Sequence, residues 1–489
     1  MSDTPCYLAV DLGASSGRVI QGRIRKNRIF LKELNRFPNN PVPVRGHLYW
    51  PVYYLWENIL KGLFAASKQK QAVSVGVDAW GVDFGLFQSG YLIQAPHAYR
   101  EFESPAVMES VLERVGASTL YRWTGIQSLP INTLFQLASL CDTRHPVPAR
   151  ADRLLFMADL FHYWLTGEAV SEITIASTSQ LLNAETQSWE TNLFRILNLP
   201  MEIMPHRVTP GSVLGPLTHE CREQTGLRET RVVIPACHDT ACAVAAVPAE
   251  SDGWAFLSSG TWSLLGVETR SPVLHEGAMN ANFTNEAGVD GTIRFLRNSM
   301  GLWLLQSCIR EWRRAKLKHD YETLLDLASR STPFVSLVDP DHSSFLNPGS
   351  MTEALAAFCR RTGQPEPADQ GAFVRCILES LALKYRYILD LMGTLGLPKP
   401  GRLHIVGGGS RNRMLNQFTA DASGLPVLAG PAESTALGNI LIQAMALGHL
   451  SSLREARSLA AASFEPEIFQ PGHRDVWEEA YGRMRPLFQ

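Results

Sequence analysis

A short apolar run that ends in a Gly/Ser turn and returns as a second apolar run occurs twice in this chain of 489 residues. Tyr7-Leu8-Ala9-Val10 ends at Asp11, turns through Gly13-Ala14-Ser15-Ser16-Gly17 and leaves as Arg18-Val19-Ile20. Ala255-Phe256-Leu257 turns through Ser258-Ser259-Gly260-Thr261 and leaves as Trp262-Ser263-Leu264-Leu265-Gly266-Val267. Each reads as strand, tight turn, strand. One copy near the start of each half points to a duplicated domain. Length agrees, since a chain of this size exceeds one ordinary core at about 150 residues per domain. Between the copies, Val247-Pro248-Ala249-Glu250-Ser251-Asp252-Gly253 combines Pro, charge and Gly as a linker does, and divides the chain into 1–247 and 248–489.

The remaining pattern is α/β. Val73–Asp78 alternates as a strand, and Asp83–Phe87 suits its partner. Arg231–Pro235 is a further strand, after which Asp239 and Thr240 open an Ala-rich helix. Leu403–Val406 is a strand that breaks at Gly407-Gly408-Gly409 and enters a helix over Asn412–Ala422, while Arg360–Ala368 reads as a surface loop. Strands and helices alternating in this way predict mixed layers. The net charge of -2 gives no support to a nucleic-acid or acidic-membrane partner. The N-terminus Met1–Pro5 has no basic stretch, and no apolar run approaches the ~18 residues that would span a bilayer. A soluble cytoplasmic protein is the expectation, as a monomer or small homo-oligomer. The eight cysteines show no repeated metal spacing, so Cys237 and Cys242 around His238 and Asp239 read as packing. Cys359 and Cys376 can meet if the stretch between them folds back, although free thiols are the default in a reducing compartment.

The turns carry the chemistry. Phosphate oxygens are held by backbone N–H groups converging in a turn, and Gly and Ser let the backbone come close. Ala14, Ser15, Ser16 and Gly17 supply such a turn, Arg18 a charge-assisted contact, and Asp11 a carboxylate suited to magnesium. One such hairpin is as readily structural. Two of them, with the third glycine turn at Gly407–Gly409, form a set suited to a nucleotide polyphosphate. Phosphoryl transfer to an alcohol also needs a carboxylate to accept the hydroxyl proton. Position leaves Asp239 two roles, that base or a helix cap.

Six segments, in order along nearly the whole chain, resemble the FGGY carbohydrate kinases. They are Asp11–Arg18, Asp78–Phe84, His238-Asp239-Thr240-Ala241, Ser258–Ser263, Asn298–Trp303 and His404–Gly409. Ala-Ser-Ser-Gly-Arg at 14–18 is similar to the branch that acts on L-rhamnulose. The resemblance implies two actin-like (ribonuclease-H-like) α/β domains with an interdomain cleft, the first on the sugar side with the base and the second on the nucleotide side. It implies transfer of the γ-phosphoryl group of ATP, with Mg2+, to the 1-hydroxyl of L-rhamnulose in L-rhamnose degradation. Asp239 would be the base, with Gly81, His238, Asp239, Thr240 and Asn298 on the sugar. Ala14, Ser15, Ser16, Gly17, Arg18, Thr261, Gln306 and Gly408 would contact nucleotide, and Asp11 would lie close to the metal. Beside these roles stand structural ones: Gly81 a turn, His238 a buried histidine, Asn298 a cap for the helix through Trp303–Leu305, Trp80 core or sugar platform. The sequence departs from the branch at Glu101, after Arg100, where Asp is expected.

Other readings remain at this point. The acceptor can be another ketose or polyol, such as L-fuculose, xylulose or glycerol. An actin-like or chaperone-like ATPase shares the turns but has no need of His238-Asp239 or Asp78–Asp83. A sugar-binding module without catalysis has no need of the turns.

Overall fold

The computed structural model describes residues 5–69, 71–99, 105–142, 146–249, 252–317 and 319–488. They fall into two compact units, neither of which is contiguous. The first comprises Met1–Glu250, Glu268–Leu296 and Ser434–Phe464, and the second Ser251–Val267, Arg297–Glu433 and Glu465–Gln489. The first passage, at 250/251, lies close to the division read at 247/248, and four more follow. Glu250 and Ser251 in the expected linker, like Arg100 and Glu101, lie outside the described residues.

In the first unit six strands run in the order Val213–Pro216, Arg231–Val233, Ser74–Ala79, Cys6–Leu12, Ser16–Arg25, Arg28–Pro38. The central three are parallel, and the Cys6–Leu12 and Ser16–Arg25 strands form the antiparallel hairpin expected from the Gly/Ser turn. Cys6–Leu12 and Ser74–Ala79 are buried along their whole length, which is why they read as apolar runs with little alternation. Strand Phe84–Gln88 does not pair with Ser74–Ala79. It joins Tyr91–Gln94 and Arg153–Phe156 in a separate three-stranded sheet. Both edges of Ser74–Ala79 are already taken, and Val82 at φ 65° turns the chain away.

A second sheet, most of it in the second unit, repeats this order. Strands Ile293–Met300, Trp262–Thr269, Trp254–Ser259, Arg402–Val406, Val427–Ala429 and Glu467–Phe469 lie side by side. Again a hairpin leads by parallel pairing to two later strands, and an antiparallel strand closes the edge. The strand order supports duplication more firmly than the two turns alone. A 3-10 turn at Gly408–Arg411 precedes helix Arg413–Ser423, whose N-cap is Asn412. The stretch read as a loop from Arg360 begins two residues later, because helix Met351–Arg361 includes Arg360 and Arg361. Cys359 and Cys376 are free thiols, both buried. In the long helix Gln370–Thr394, Lys384 is fully buried and ion-paired with Asp339 at 2.7 Å and Asp341 at 3.0 Å. Among the described residues no helix is long and apolar enough to cross a membrane.

Helix Ser434–Ala446 belongs to the first unit although it comes late in the chain. Leu437, Ile440 and Leu441 bury Tyr7, Ala9 and Ile20 on one face of the sheet. Its polar side chain Gln443 bonds to the same sheet: Gln443 Nε2 donates to the Leu8 carbonyl at 2.9 Å, and Ser74 Oγ donates to Gln443 Oε1 at 2.6 Å. The helix also meets helix Asp239–Ala245, where a Cβ on Gly438 would lie 1.8 Å from the Cys242 carbonyl oxygen. Only a glycine admits that approach, and backbone cannot move aside as a side chain can. Gly438→Ala is therefore expected to destabilise by ~1–3 kcal/mol through overpacking, despite alanine's better helix propensity. Gly393→Ala, near the end of the long helix with nothing within 4 Å of the new Cβ, should be neutral or gain up to ~1 kcal/mol. Urea unfolding of the two variants checks this, and equal midpoints would contradict it.

Candidate active site

Strand ends and turns bring the candidates of the first unit together. Asp11 stands near the end of the Cys6–Leu12 strand, opposite Arg18 on one side and Asp78 on the other. Arg18 Nη2 donates to Asp11 Oδ2 at 2.6 Å. The guanidinium expected at phosphate is thus held on Asp11. The turn between them is closed by Gly13 N–H to the Ser16 carbonyl at 3.0 Å, and Ser15 is exposed at its tip. Asn39, buried just after strand Arg28–Pro38, fixes it twice: its N–H donates to the Ser15 carbonyl and its side-chain amide to the Gly13 carbonyl. Gly17 has a packing reason to be small as well as any phosphate approach. A Cβ there would collide with the Phe37 ring at 2.2 Å.

Asp78 is fully buried and accepts from Asn439 Nδ2 at 2.6 Å. Burial pushes its carboxyl well above the usual range, Asp11 and Asp239 add to the shift, and the Asn439 bond opposes it. Asp78 therefore lies in the field of two further carboxylates of this unit, Asp11 and Asp239. From Asp78 the chain enters the Trp80-Gly81-Val82-Asp83 bend. Gly81 packs so closely on Thr178 that a Cβ would lie 2.8 Å from its Oγ1. Asp83 is buried and accepts from the indole N–H groups of Trp50 (2.6 Å) and Trp80 (2.8 Å), from Gln136 and from the Tyr99 amide. Burial still pushes it up to about 7. Trp80 is 5% exposed and packs on Trp50, so it is core and buttress, and not an open stacking platform.

Helix Asp239–Ala245 begins one residue earlier than a cap at Asp239 would require: His238 is the N-cap and makes no side-chain capping bond. Asp239 Oδ1 accepts from the Thr240 N–H at 2.6 Å and the Thr240 hydroxyl at 3.2 Å. Among the described residues nothing donates to Oδ2, and the side chain is 30% exposed. One oxygen is held and the other is open to solvent, as a proton acceptor needs. The segment before it is anchored from behind: Glu172 accepts from the Cys237 N–H and from the Thr174 hydroxyl, and that hydroxyl accepts from the His238 N–H. His238 Nε2 lies 3.5 Å from Asp239 Oδ1, and its Nδ1 lies 3.2 Å from both Glu286 Oε2 and Arg294 Nη2.

Asp159, His162 and Cys237 bring potential ligand atoms within 4.8 Å of one another. His162 Nε2 accepts from the Val77 N–H at 3.0 Å, which puts the ring proton on Nδ1, where a metal would need a lone pair. Burial pulls His162 down to about 3, so the ring is neutral.

In the second unit Thr261 Oγ1 donates to Gln306 Oε1 at 3.4 Å, and both are half-buried. Gly301, Leu302 and Trp303 donate their N–H groups to carbonyls of Thr261 and Gly260, which ties this hairpin turn to the start of helix Trp303–Arg314. Asn298 lies in the Ile293–Met300 strand, and the N-cap of that helix is Leu302. The capping role for Asn298 is removed. The three glycines of 407–409 divide in function. A Cβ at Gly407 or Gly409 would strike Ser259, at 3.0 and 2.0 Å, whereas Gly408 is exposed with nothing within 4 Å. Only Gly408 leaves room for a ligand against backbone.

Asn39, Asn439, Glu286 and Arg294 were not read as site residues from sequence. Arg294 alone left a trace, as a charge inside the apolar run Ile293-Arg294-Phe295-Leu296.

Comparison with known proteins fits this geometry. The N-terminal domain of the FGGY family of carbohydrate kinases matches residues 6–246, and its C-terminal domain residues 255–447. A rhamnulokinase from Bacteroides thetaiotaomicron is 45% identical over 478 residues, covering 97% of this chain and 98% of its own. Rhamnulokinases from Pectobacterium atrosepticum (42%, covering 99% and 96%) and Bacillus subtilis (35%, covering 95% and 95%) are also similar. Among solved structures, gluconate kinase from Lactobacillus acidophilus superposes with a TM-score of 0.81 at 14% identity, covering 99% of this chain and 98% of its own. Glycerol kinase from Plasmodium falciparum gives 0.76 at 14%, covering 99% and 97%. These two show the shared two-domain actin-like fold. With both family domains matched in order across most of its length, the chain belongs to the FGGY family of carbohydrate kinases.

Proposed function

We propose that this carbohydrate kinase transfers the γ-phosphoryl group of ATP to the 1-hydroxyl of L-rhamnulose, giving L-rhamnulose 1-phosphate and ADP. The reaction would serve L-rhamnose degradation in the cytoplasm. The observation that carries the chemistry is Asp239, with Oδ1 fixed by Thr240 and Oδ2 open. Oδ2 takes the proton of the sugar hydroxyl as its oxygen forms a bond to γ-phosphorus, and the β–γ bridging bond breaks with its electrons passing to ADP. The identity of the acceptor is supported by the rhamnulokinases that match nearly the full chain.

Residues 1–247 would supply the sugar side and 248–489 the nucleotide side. Gly81, His238, Thr240 and Asn298 would meet sugar oxygens. Ala14 to Arg18, Thr261, Gln306 and Gly408 would meet the nucleotide, with Arg18 also steadying Asp11. Magnesium fits the donor set around Asp11, because Asp11 and Asp239 both raise the proton affinity of buried Asp78 and a divalent cation relieves that. When bound it screens the charge that develops on the phosphates. Asp11 would hold it, directly or through water, and Asp78 would lie behind.

Three outcomes are expected. Asp239→Asn should keep the fold and ADP binding while losing ~10²–10⁴-fold in kcat; parental turnover in a coupled ADP-release assay would remove Asp239 as base. Gly408→Val should weaken ADP binding with an unaltered melting temperature, since only ligand space is filled. Calorimetric titration reads this, and an unchanged Kd would make Gly408 structural. Gly17→Val cannot serve, because Phe37 would be displaced. Finally, kcat/KM should favour L-rhamnulose over D-xylulose and most of all over glycerol, each unmatched buried polar group costing ~1–3 kcal/mol. If either competitor equals L-rhamnulose, the chain is a kinase for a different acceptor.

A further inference from the structure

The hairpin formed by Thr284–Ala287 and Ile293–Met300 places Glu286 directly opposite Arg294. Both belong to the first unit, far along the chain from the catalytic helix. The hairpin is held there by the Asn285 N–H on the Gly125 carbonyl (2.8 Å), by Asn285 Nδ2 on the same carbonyl (3.0 Å) and by the Ala287 N–H on Ser177 Oγ (3.0 Å). Arg294 is 0% exposed, one of the largest fully buried side chains of the described residues. Its Nε donates to the Ala287 carbonyl at 3.1 Å, its Nη1 lies 3.1 Å from Glu286 Oε2, and its Nη2 meets His238 Nδ1 at 3.2 Å.

A guanidinium has five donors and no lone pair to offer. The contact with His238 can only be a bond in which Nη2 donates and Nδ1 accepts, so the single ring proton sits on Nε2. Nε2 is the nitrogen that faces Asp239 Oδ1 at 3.5 Å. That distance is too long for a good hydrogen bond to Asp239 and leaves the N–H available to an oxygen brought beside the base.

We propose that Arg294 is a positioning residue that fixes His238 as an Nε2–H donor aimed at a sugar oxygen, and that Glu286 keeps the buried guanidinium in place. Glu286 supplies the opposing charge that a fully buried cation requires. Its carboxylate near Nδ1 serves Arg294 and does not take the ring proton. The arrangement makes His238 a reader of one acceptor oxygen on the substrate while leaving Asp239 the only proton acceptor. The inference rests on the reading of His238 as a sugar contact.

Two measurements test it, and the first reads the proton on the unaltered enzyme. Long-range proton–nitrogen correlation spectra of the 15N-histidine-labelled enzyme, with His238 identified by its loss in His238→Ala, should show the proton on Nε2. A proton on Nδ1 overturns the proposal, because Arg294 could then not donate. The second is a cycle built on kcat/KM for L-rhamnulose. Arg294→Met, made together with Glu286→Gln so that no buried carboxylate is left alone, should lower kcat/KM about tenfold with KM for ATP unchanged. In a His238→Ala background the same pair should cause no further loss beyond about twofold. Equal losses in both backgrounds would mean that the pair only supports the fold, and would overturn the proposal. Unimpaired sugar turnover by His238→Ala would remove the sugar contact itself and the proposal with it. An impaired His238→Ala together with an Nδ1 proton would leave the contact standing and sink the positioning role alone.

Discussion

Two aspartates that occupy matching positions on neighbouring parallel strands set the terms for the first unit. The pairing that aligns Tyr7 with Ser74 also aligns Asp11 with Asp78, so forming the sheet forces two carboxylates together at one end of it. Like charges in a buried place are costly unless donors or cations answer them. Arg18 answers Asp11 from across the hairpin, and Asn439 answers Asp78 from a helix that arrives more than 350 residues later. A third carboxylate, Asp239, is carried to the same region by a helix that the same late helix supports. The fold thus concentrates negative charge where a divalent cation and the phosphates it accompanies belong. The supports of that concentration are also the supports of the sheet.

Much of this was legible in the sequence because it is local. The strands, their turns and the Gly-Gly-Gly break are encoded by short runs, and the residues of the first turn marked Asp11 without any knowledge of packing, whereas Asp239 and Gly408 were singled out by the family resemblance. What was illegible is non-local. Nothing near Gly17 reveals that Phe37 presses on it, and nothing near Phe84 reveals that both edges of the preceding strand are filled. Gly407 and Gly409 look equivalent to Gly408 in sequence. Only the parallel strand beside them, with Ser259 against the turn, separates the two packing glycines from the exposed one. Trp80 was ambiguous for a similar reason: its partner Trp50 lies on another segment, and the Asp83 carboxylate that binds both indoles acts from inside the core. Glu286 and Arg294 were missed because their meaning depends on a fold-back that no short window contains.

The two units repeat one strand order, yet they are asymmetric in what they hold. The first buries its charges, with Arg294, Glu286, Asp78 and Asp83 all under 9% exposed. The second keeps Thr261 and Gln306 half-buried and Gly408 exposed, and its buried Lys384–Asp339 pair, with Asp341 beside it, lies behind the Ser299–Met300 strand end. A deep polar site suits a ligand recognised hydroxyl by hydroxyl, whereas an open backbone turn suits one recognised by its phosphates.

Helix Ser434–Ala446 gives the repeat a history that cannot be reversed. Once the first sheet came to rely on Leu437, Ile440 and Leu441 to cover Tyr7, Ala9 and Ile20, the ancestral copies ceased to be exchangeable parts. A gene fragment ending near residue 250 would encode every strand of that sheet and leave one of its faces bare. An exchange of halves near residue 250 would therefore have to carry a matching cover for that face from the other half.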